Sequence, residues 1–264
     1  MTKIAIQFST WMMVFAVFGS QGLTAEPIRL RVLSYNIHHA EGVDGKLDVE
    51  RIAKVINAVD PDIVALQEVD QKVQRSNGVH QPKELARLTK MNVAFGANIP
   101  LQGGHYGNAI LSRFPITKRK NELLPNVNDG EQRGVLVGEI TIPDLPTSLL
   151  ILATHFDHRA NDQERTLSAK FINQRFTADN GPALLMGDLN DVIGSATLDQ
   201  LVVAWTRTNS KALPTIPVKR PTRQIDFVLF RPVDRWTVVE TRVLDEAVAS
   251  DHRPILSVLE IRPK

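Results

Sequence analysis

The sequence predicts an α/β sandwich built on mixed, largely antiparallel sheets, and three observations predict it. Short apolar runs with the length and alternation of strands outnumber helical stripes. Neighbouring runs are joined both by hairpin-length connections and by strand–helix–strand units, whereas a doubly wound parallel sheet would need more intervening helices. No linker, low-complexity tract or internal repeat divides the chain, so one domain is expected over residues 26–264.

Ile28 to Asn36 alternates apolar and polar residues before turning apolar, which reads as a strand. A Gly/Asp loop follows from Glu41 to Lys46. Asp48 then stands as an N-cap before Val49, Ile52, Ala53, Ile56 and Val59, a helical stripe closed by Asp60-Pro61. Ile63-Val64-Ala65-Leu66 reads as a buried strand ending on Gln67-Glu68. A loop is expected from Asp70 to His80 and a short helix from Pro82 to Lys90. Further strands are expected at 92–95, 108–112, 135–142, 148–155, 183–186, 225–230, 236–243 and 254–261, with a helix at 162–176. Lys118-Arg119-Lys120 reads as a solvated turn. The segment from Thr206 to Arg223, rich in proline and base, reads as a surface loop.

Composition narrows the function classes. The 264 residues are 43% hydrophobic and 23% charged, enough for a substantial core, and the formal net charge of +2 gives no overall field favouring nucleic acid or membrane. There is no cysteine, which excludes thiol nucleophiles, Cys-type zinc sites and disulfide staples. Lys3, the apolar stretch Trp11 to Gly19, and Leu23-Thr24-Ala25 before Glu26-Pro27 have the three-part layout of a secretory signal peptide. Residues 1–25 are therefore expected to be removed on export to the periplasm or exterior, an uncleaved anchor being the alternative. The apolar run is shorter than the roughly 20 residues of a membrane span.

Polar residues recur where the expected strands end: Asn36, Glu68, His155, Asp188 with Asn190, Asp226, and Asp251 with His252. Carboxylate, amide and imidazole beside buried apolar runs cost desolvation and add nothing to a core, so they mark a site. Oxygen ligands such as Glu68 and Asp251 suit Mg²⁺, Mn²⁺ or Ca²⁺. An imidazole placed by a carboxylate can donate to a phosphate, and a further carboxylate can orient and deprotonate water. These residue types suit metal-assisted phosphoester hydrolysis.

The chain resembles the endonuclease/exonuclease/phosphatase superfamily, the DNase I-like enzymes. The carrying motifs are Ser34-Tyr35-Asn36, Asp62 to Glu68, Gly107 to Arg113, Thr154-His155, Gly187-Asp188-Leu189-Asn190, Ile225-Asp226 and Ser250-Asp251-His252, in family order across nearly all of residues 26–264. The resemblance implies a four-layer α/β sandwich: two mixed, mainly antiparallel sheets face to face, helices outside. It implies that Glu68 is the principal metal ligand, supported by Asn36 and Asp251, with Mg²⁺ as cofactor and Mn²⁺ or Ca²⁺ as alternatives. Asp188 would prepare the attacking water and Asn190 hold the phosphate. His252, oriented and kept protonated by Asp226, would contact the scissile phosphate, as would His155. Arg133 would reach a phosphate oxygen, and Tyr106 and Asn108 lie in a matching substrate-binding segment.

The expected enzyme is a monomeric phosphodiesterase, with nuclease, phosphatase and phospholipase C-type activities as alternatives. Nucleic acid, a phospholipid headgroup or a small phosphodiester would each satisfy the pattern as substrate. Arg207, Lys211, Lys219, Arg220 and Arg223 form a basic loop feeding Asp226 that suits an anionic substrate. His38 and His39 are close enough to Asn36 to reach the cleft, though a solvated loop is expected for them, and His105 and His158 are open between a site role and a structural one. A non-catalytic binding module is disfavoured because every expected polar position is filled. A zinc peptidase is disfavoured because no His-Glu-x-x-His run is present.

Overall fold

The computed structural model describes residue 1 and residues 26–127, 129–178 and 180–263; the signal segment expected at residues 1–25 lies outside them except for Met1. Twelve strands and four α-helices follow in chain order: β1 (Ile28–Asn36), α1 (Val49–Ala58), β2 (Ile63–Gln71), α2 (Gln81–Thr89), β3 (Asn92–Leu101), β4 (Gly104–Ser112), β5 (Ile116–Leu123), β6 (Gly134–Ile140), β7 (Leu149–His155), α3 (Gln163–Phe176), β8 (Ala183–Asp188), α4 (Ala196–Val202), β9 (Thr206–Arg207), β10 (Asp226–Arg231), β11 (Trp236–Val243) and β12 (Ile255–Ile261). One six-stranded sheet has the order β11-β12-β1-β2-β4-β3 and the other β5-β6-β7-β8-β10-β9. Each contains one parallel pair, β1 with β2 and β7 with β8, and is otherwise antiparallel. The parallel partners are joined across α1 and α3, because a hairpin cannot reverse a strand into parallel register.

Three apolar layers separate four structural ones, as the resemblance implies. Leu30, Val32, Ile63 and Ala65 of the first sheet meet Ile151, Ala153, Leu184 and Met186 of the second in a central core. The alternate residues Leu33, Tyr35, Val64 and Leu66 face Ile52, Ala53 and Ile56 of α1. On the far side Leu152, Leu185 and Phe227 pack against Ala169 and Ile172 of α3 and Leu198 and Leu201 of α4. Central strands buried on both faces explain the near-continuous apolar runs in the sequence. Asp48 caps α1 through its Oδ1, which accepts from the Arg51 N–H at 2.8 Å and contributes about 1 kcal/mol.

Several expectations are corrected. Lys118-Arg119-Lys120 lies not in a turn but in β5, an edge strand whose lysines and arginine face solvent. Such charge on an edge blocks pairing with other chains, and the absence of apolar alternation hid the strand. The strands expected at 92–95 and 108–112 extend to Leu101 and back to Gly104 as a long hairpin. The loop expected from Asp70 instead begins after Gln71, and Thr206–Arg207 pairs briefly with β10. Most consequential, β2 does not end at Glu68: it continues through a bulge there.

The site-bearing strands are packed tightly enough to test. A Cβ added at Gly187, one residue before Asp188, would be driven into the Thr154 carbonyl oxygen of β7. Gly187→Ala should therefore cost about 1–3 kcal/mol of stability through strand displacement, measured as a lowered urea midpoint; an unchanged midpoint would contradict this packing.

Candidate active site

Strand register brings the polar residues to one edge. In the second sheet His155 ends β7, Asp188 ends β8 and Asp226 begins β10; His155 pairs with Asp188, and Asp188 with Asp226, as direct neighbours. In the first sheet Asn36 ends β1 and Glu68 occupies the bulge of β2. Glu68 has φ +59° and Asn190 φ +50°, left-handed conformations that non-glycine residues adopt at a cost and that concentrate at functional sites. The bulge turns Glu68 out of the strict strand alternation, leaving it half-buried at the cleft. Asn190 is fixed by its N–H donating to Asp188 Oδ1 at 2.9 Å.

The two sheets are joined through side chains. Asn36 Nδ2 donates to Glu68 Oε1 at 3.0 Å and to Asp188 Oδ2 at 3.1 Å, while its Oδ1 accepts from the His38 N–H at 3.1 Å. Asn36 is thus a bridging donor between the two sheets in this arrangement. His252 Nδ1 lies 2.9 Å from Asp226 Oδ2, and its Nε2 3.7 Å from Asp188 Oδ2. Asp226 Oδ2 also accepts from Thr215 Oγ1 at 2.5 Å. Ser250 Oγ donates to the Asn36 carbonyl at 2.8 Å, tying the loop that carries Asp251 and His252 to β1.

Burial divides these groups electrostatically. Burial alone would lower the His252 pKa, but the Asp226 and Asp188 carboxylates outweigh it and raise the pKa to about 10. His155 moves the other way: burial, then the positive charges of Arg133, His252 and His158, push it well below the ordinary histidine range. Donors face both ring nitrogens: Arg133 NH1 lies 3.1 Å from His155 Nδ1 and Asn190 Nδ2 lies 3.0 Å from its Nε2, with Asp188 Oδ2 3.5 Å from Nε2. Asp188 is pushed up to about 7 by burial and by the Asp226 charge, against the pull of His252.

A cleft of about 430 Å³ opens over this edge, lined by Glu68, Asp188, Asn190, Asp251, His155 and His252. Arg133 and Tyr106 line it as well, with His38, Arg75, His158 and the apolar Ile99 and Leu101. Arg75 lies 5.3 Å over the Tyr106 ring and is bound to buried Asp70, its guanidinium Nε donating to Oδ2 at 2.9 Å. Asn36 and Asp226 stand behind the cleft surface, bonded to residues that line it. Asn108 does not reach the cleft: it is buried, and its Nδ2 donates to the Gly134 carbonyl at 3.0 Å. It braces β4 against β6.

Some cleft residues escaped sequence reading. Arg75, Ile99 and Leu101 sit in a segment that reads as loop and in the unread end of β3. His38 lines the cleft and His39 is buried rather than solvated. Their adjacency to Asn36 was the available signal.

Comparison with known proteins agrees with this geometry. Residues 33–252 match the model of the Endonuclease/Exonuclease/phosphatase family. YbhP of Escherichia coli K12 is 26% identical over 249 residues, covering 88% of this chain and 96% of its own. A 5'-tyrosyl-DNA phosphodiesterase of Caenorhabditis elegans is 27% identical over 206 residues, 73% of this chain and 52% of that protein. Among solved structures, an endonuclease/exonuclease/phosphatase from Beutenbergia cavernae superposes with a TM-score of 0.74 at 26% identity, covering 89% of this chain and 72% of that one. A mannosyl-6-phosphatase of Bacteroides thetaiotaomicron shares the fold, with a TM-score of 0.72 at 21% identity over 87% of this chain and 99% of its own.

The His252 charge is open to direct measurement. With a folded pKa near 10 against an unfolded value of about 6.5, its proton contributes stability fully below pH ~6.5, and that contribution is lost as pH rises through about 10. Nuclear magnetic resonance titration should find the His252 ring still protonated at neutral pH, and Asp226→Asn should shift its titration downward. A parent ring titrating near the ordinary histidine value would contradict the assigned environment.

Proposed function

The chain belongs to the endonuclease/exonuclease/phosphatase family and so is a phosphoric ester hydrolase; on that premise we propose that it is a divalent-metal-dependent phosphodiesterase acting by in-line attack of water on phosphorus. The observation that carries this reading is the chain Asp226–His252–Asp188, with a protonated imidazole beside a buried carboxylate, facing Glu68 and Asp251 in one cleft.

Glu68 and Asp251 fit a hard divalent cation. Both line the cleft, and neither forms an ion pair with a lysine, arginine or histidine among the described residues. Oxygen donors of this kind suit Mg²⁺, with Mn²⁺ or Ca²⁺ also compatible. Asp188, Asp226 and His252 also lie close enough to share a cation. A protonated ring, however, has no lone pair to offer, so this trio is read as holding a proton. When bound, the cation would polarise the phosphoryl oxygens and stabilise the leaving oxygen.

The protein groups supply the rest. Asp188 orients the attacking water and accepts its proton; its raised pKa, about 7, makes it a stronger base than an exposed aspartate. His252 presents a positive N–H to the scissile phosphate, and Asp226 retains that charge at neutral pH. His155 contributes a neutral imidazole rather than a second cation, with the positive charge behind it on Arg133. Asn190 would hold a phosphate oxygen by releasing its Nδ2 from the Phe156 carbonyl or His155 Nε2, each 3.0 Å away, and Arg133 and Tyr106, which line the cleft, would contact the substrate. The Ile99–Leu101–Tyr106 wall beside Arg75 suits an organic group esterified to the phosphate, which favours a diester over free phosphate transfer. The tyrosyl-DNA phosphodiesterase among the relatives is compatible with a diester.

We also propose export, on the signal-like residues 1–25. No helix among the described residues is long and apolar enough to cross a membrane.

His252→Ala should lower turnover of bis-p-nitrophenyl phosphate by about 10²–10⁴-fold. Glu68→Gln and EDTA should each abolish it, with cooperative thermal unfolding retained. Full activity in both variants would sink the hydrolytic assignment. Faster release from p-nitrophenyl phosphate than from the diester would replace phosphodiesterase with phosphatase, and plasmid DNA, RNA, sphingomyelin and inositol phosphates then separate the substrate classes. For export, the intact mass of protein recovered outside the cytoplasm should match residues 26–264; a full-length mass would establish the uncleaved anchor instead.

A further inference from the structure

Behind Asn36 the chain makes a turn that hydrolysis does not require. His38, His39 and Ala40 have φ +45°, +42° and +63°, three consecutive non-glycine residues in the left-handed region. Such residues cost about 1–3 kcal/mol each and persist only where the surroundings over-determine them. Here the Ala40 and Glu41 N–H groups donate to the Ile37 and His38 carbonyls, both at 2.8 Å, and Gln81 Nε2 donates to the His39 carbonyl at 2.6 Å. The result holds two adjacent imidazoles edge to face with centroids 4.5 Å apart, one lining the cleft and the other buried.

Hydrogen bonding sets the tautomer of each ring. His38 Nδ1 lies 3.0 Å from the Glu41 carbonyl oxygen, which only accepts, so Nδ1 carries the proton and Nε2 keeps its lone pair. His39 Nε2 lies 3.3 Å from Glu41 Oε2, so that nitrogen donates and Nδ1 keeps its lone pair. His39 Nδ1 is buried and has no hydrogen-bond partner. One residue, Glu41, thus accepts a hydrogen bond from each ring and leaves an acceptor nitrogen on each. Histidine ligands of metals are oriented in this manner, by a carbonyl or carboxylate on the nitrogen that does not bind.

A carboxylate completes the set. One ligand atom from each of His38, His39 and Glu68 falls within 4.8 Å of the others. Glu68 Oε1 accepts from Asn36, whereas no protein donor reaches Oε2 among the described residues. Metal–nitrogen bonds of about 2.0–2.1 Å place ligand atoms about 3–4 Å apart, comparable with the 4.8 Å within which these already lie.

We propose that His38, His39 and the free oxygen of Glu68 form a second cation site adjoining the hydrolytic cleft, selective for a first-row transition metal such as Zn²⁺, Mn²⁺ or Fe²⁺. Two imidazoles and one carboxylate suit these ions, whereas Mg²⁺ prefers oxygen alone. The site shares Glu68 with the oxygen-lined position proposed for the hydrolytic ion, and its occupancy is measured without turnover. Failure of the hydrolytic reading therefore leaves it standing, and the reverse also holds.

The test titrates Co²⁺ into residues 26–264 in excess Mg²⁺, without substrate, and follows the visible absorption of the bound ion. The parent should bind one equivalent with an imidazole-ligated spectrum that Mg²⁺ does not displace, and Zn²⁺ should compete it away. The double variant His38→Ala/His39→Ala should lose this binding. Glu41→Gln, altering a partly exposed side chain, should weaken it about 10–100-fold, with circular dichroism reporting the fold of each variant. Unchanged Co²⁺ binding in the folded double variant, or displacement by Mg²⁺ in the parent, would overturn the site. Should the double variant not fold, unchanged affinity in Glu41→Gln would overturn it equally.

Discussion

The architecture turns on one buried carboxylate. Asp188 sits at the end of β8, shielded from water, where the two sheets meet. An isolated charge there would cost several kcal/mol, and the fold answers by converging donors on it from both sheets. The Asn36 amide comes from the first sheet, and the Asn190 N–H from just after β8 of the second. His252 comes from the loop before β12. The Asn36–Asp188 hydrogen bond spans 152 positions of sequence and fixes the sheets relative to one another at the point where the cleft opens. Moving either sheet would strand the carboxylate, so the requirement that it be satisfied and the shape of the cleft are the same constraint.

The same edge holds two histidines in opposite states. His252 is flanked by Asp226 and Asp188 and stays cationic, while His155 is backed by Arg133 and stays neutral. Burial lowers both and is the largest influence on His155, where nearby positive charge adds to it. What overrides burial at His252 is the sign of the nearest charge, positioned by strand register: Asp226 opposite Asp188 on β10, whereas Arg133, beside His155, stands immediately before β6. One cleft thereby acquires a positive end, a basic carboxylate and a neutral imidazole within a few ångströms. The left-handed turn at His38–Ala40 adds a further polar group beside Glu68, placed by backbone conformation rather than by sheet pairing.

Much of the site was legible in the sequence because its members sit at strand ends. Asn36, His155, Asp188 and Asp226 each terminate or begin a strand, and a change from apolar run to polar residue marks such ends. What escaped had no such mark. Glu68 itself was read as a ligand, but its position within a continuing strand, at a bulge, is one that polarity patterns do not encode. β5 carries its charges outward and offers no apolar alternation. Asn108 has the residue type of a substrate contact, but a buried carbonyl at Gly134 claims its amide. Arg75 reaches the cleft because Asp70 and Tyr106 hold it there, a placement that depends on how the β3–β4 hairpin folds over.

The sequence by itself determined the layers, because strand and helix periodicities are local and the alternation of Val32 with Leu33, or Val64 with Ala65, already assigns faces to two different cores. It also determined which residue types would meet at the edge. Only the tertiary structure decided their states: which histidine keeps its proton, which amide bridges and which braces, and that His39 is buried with an unpaired nitrogen. Protonation and orientation are set by neighbours far apart in the chain, at distances of a few ångströms that only the packing of the two sheets fixes.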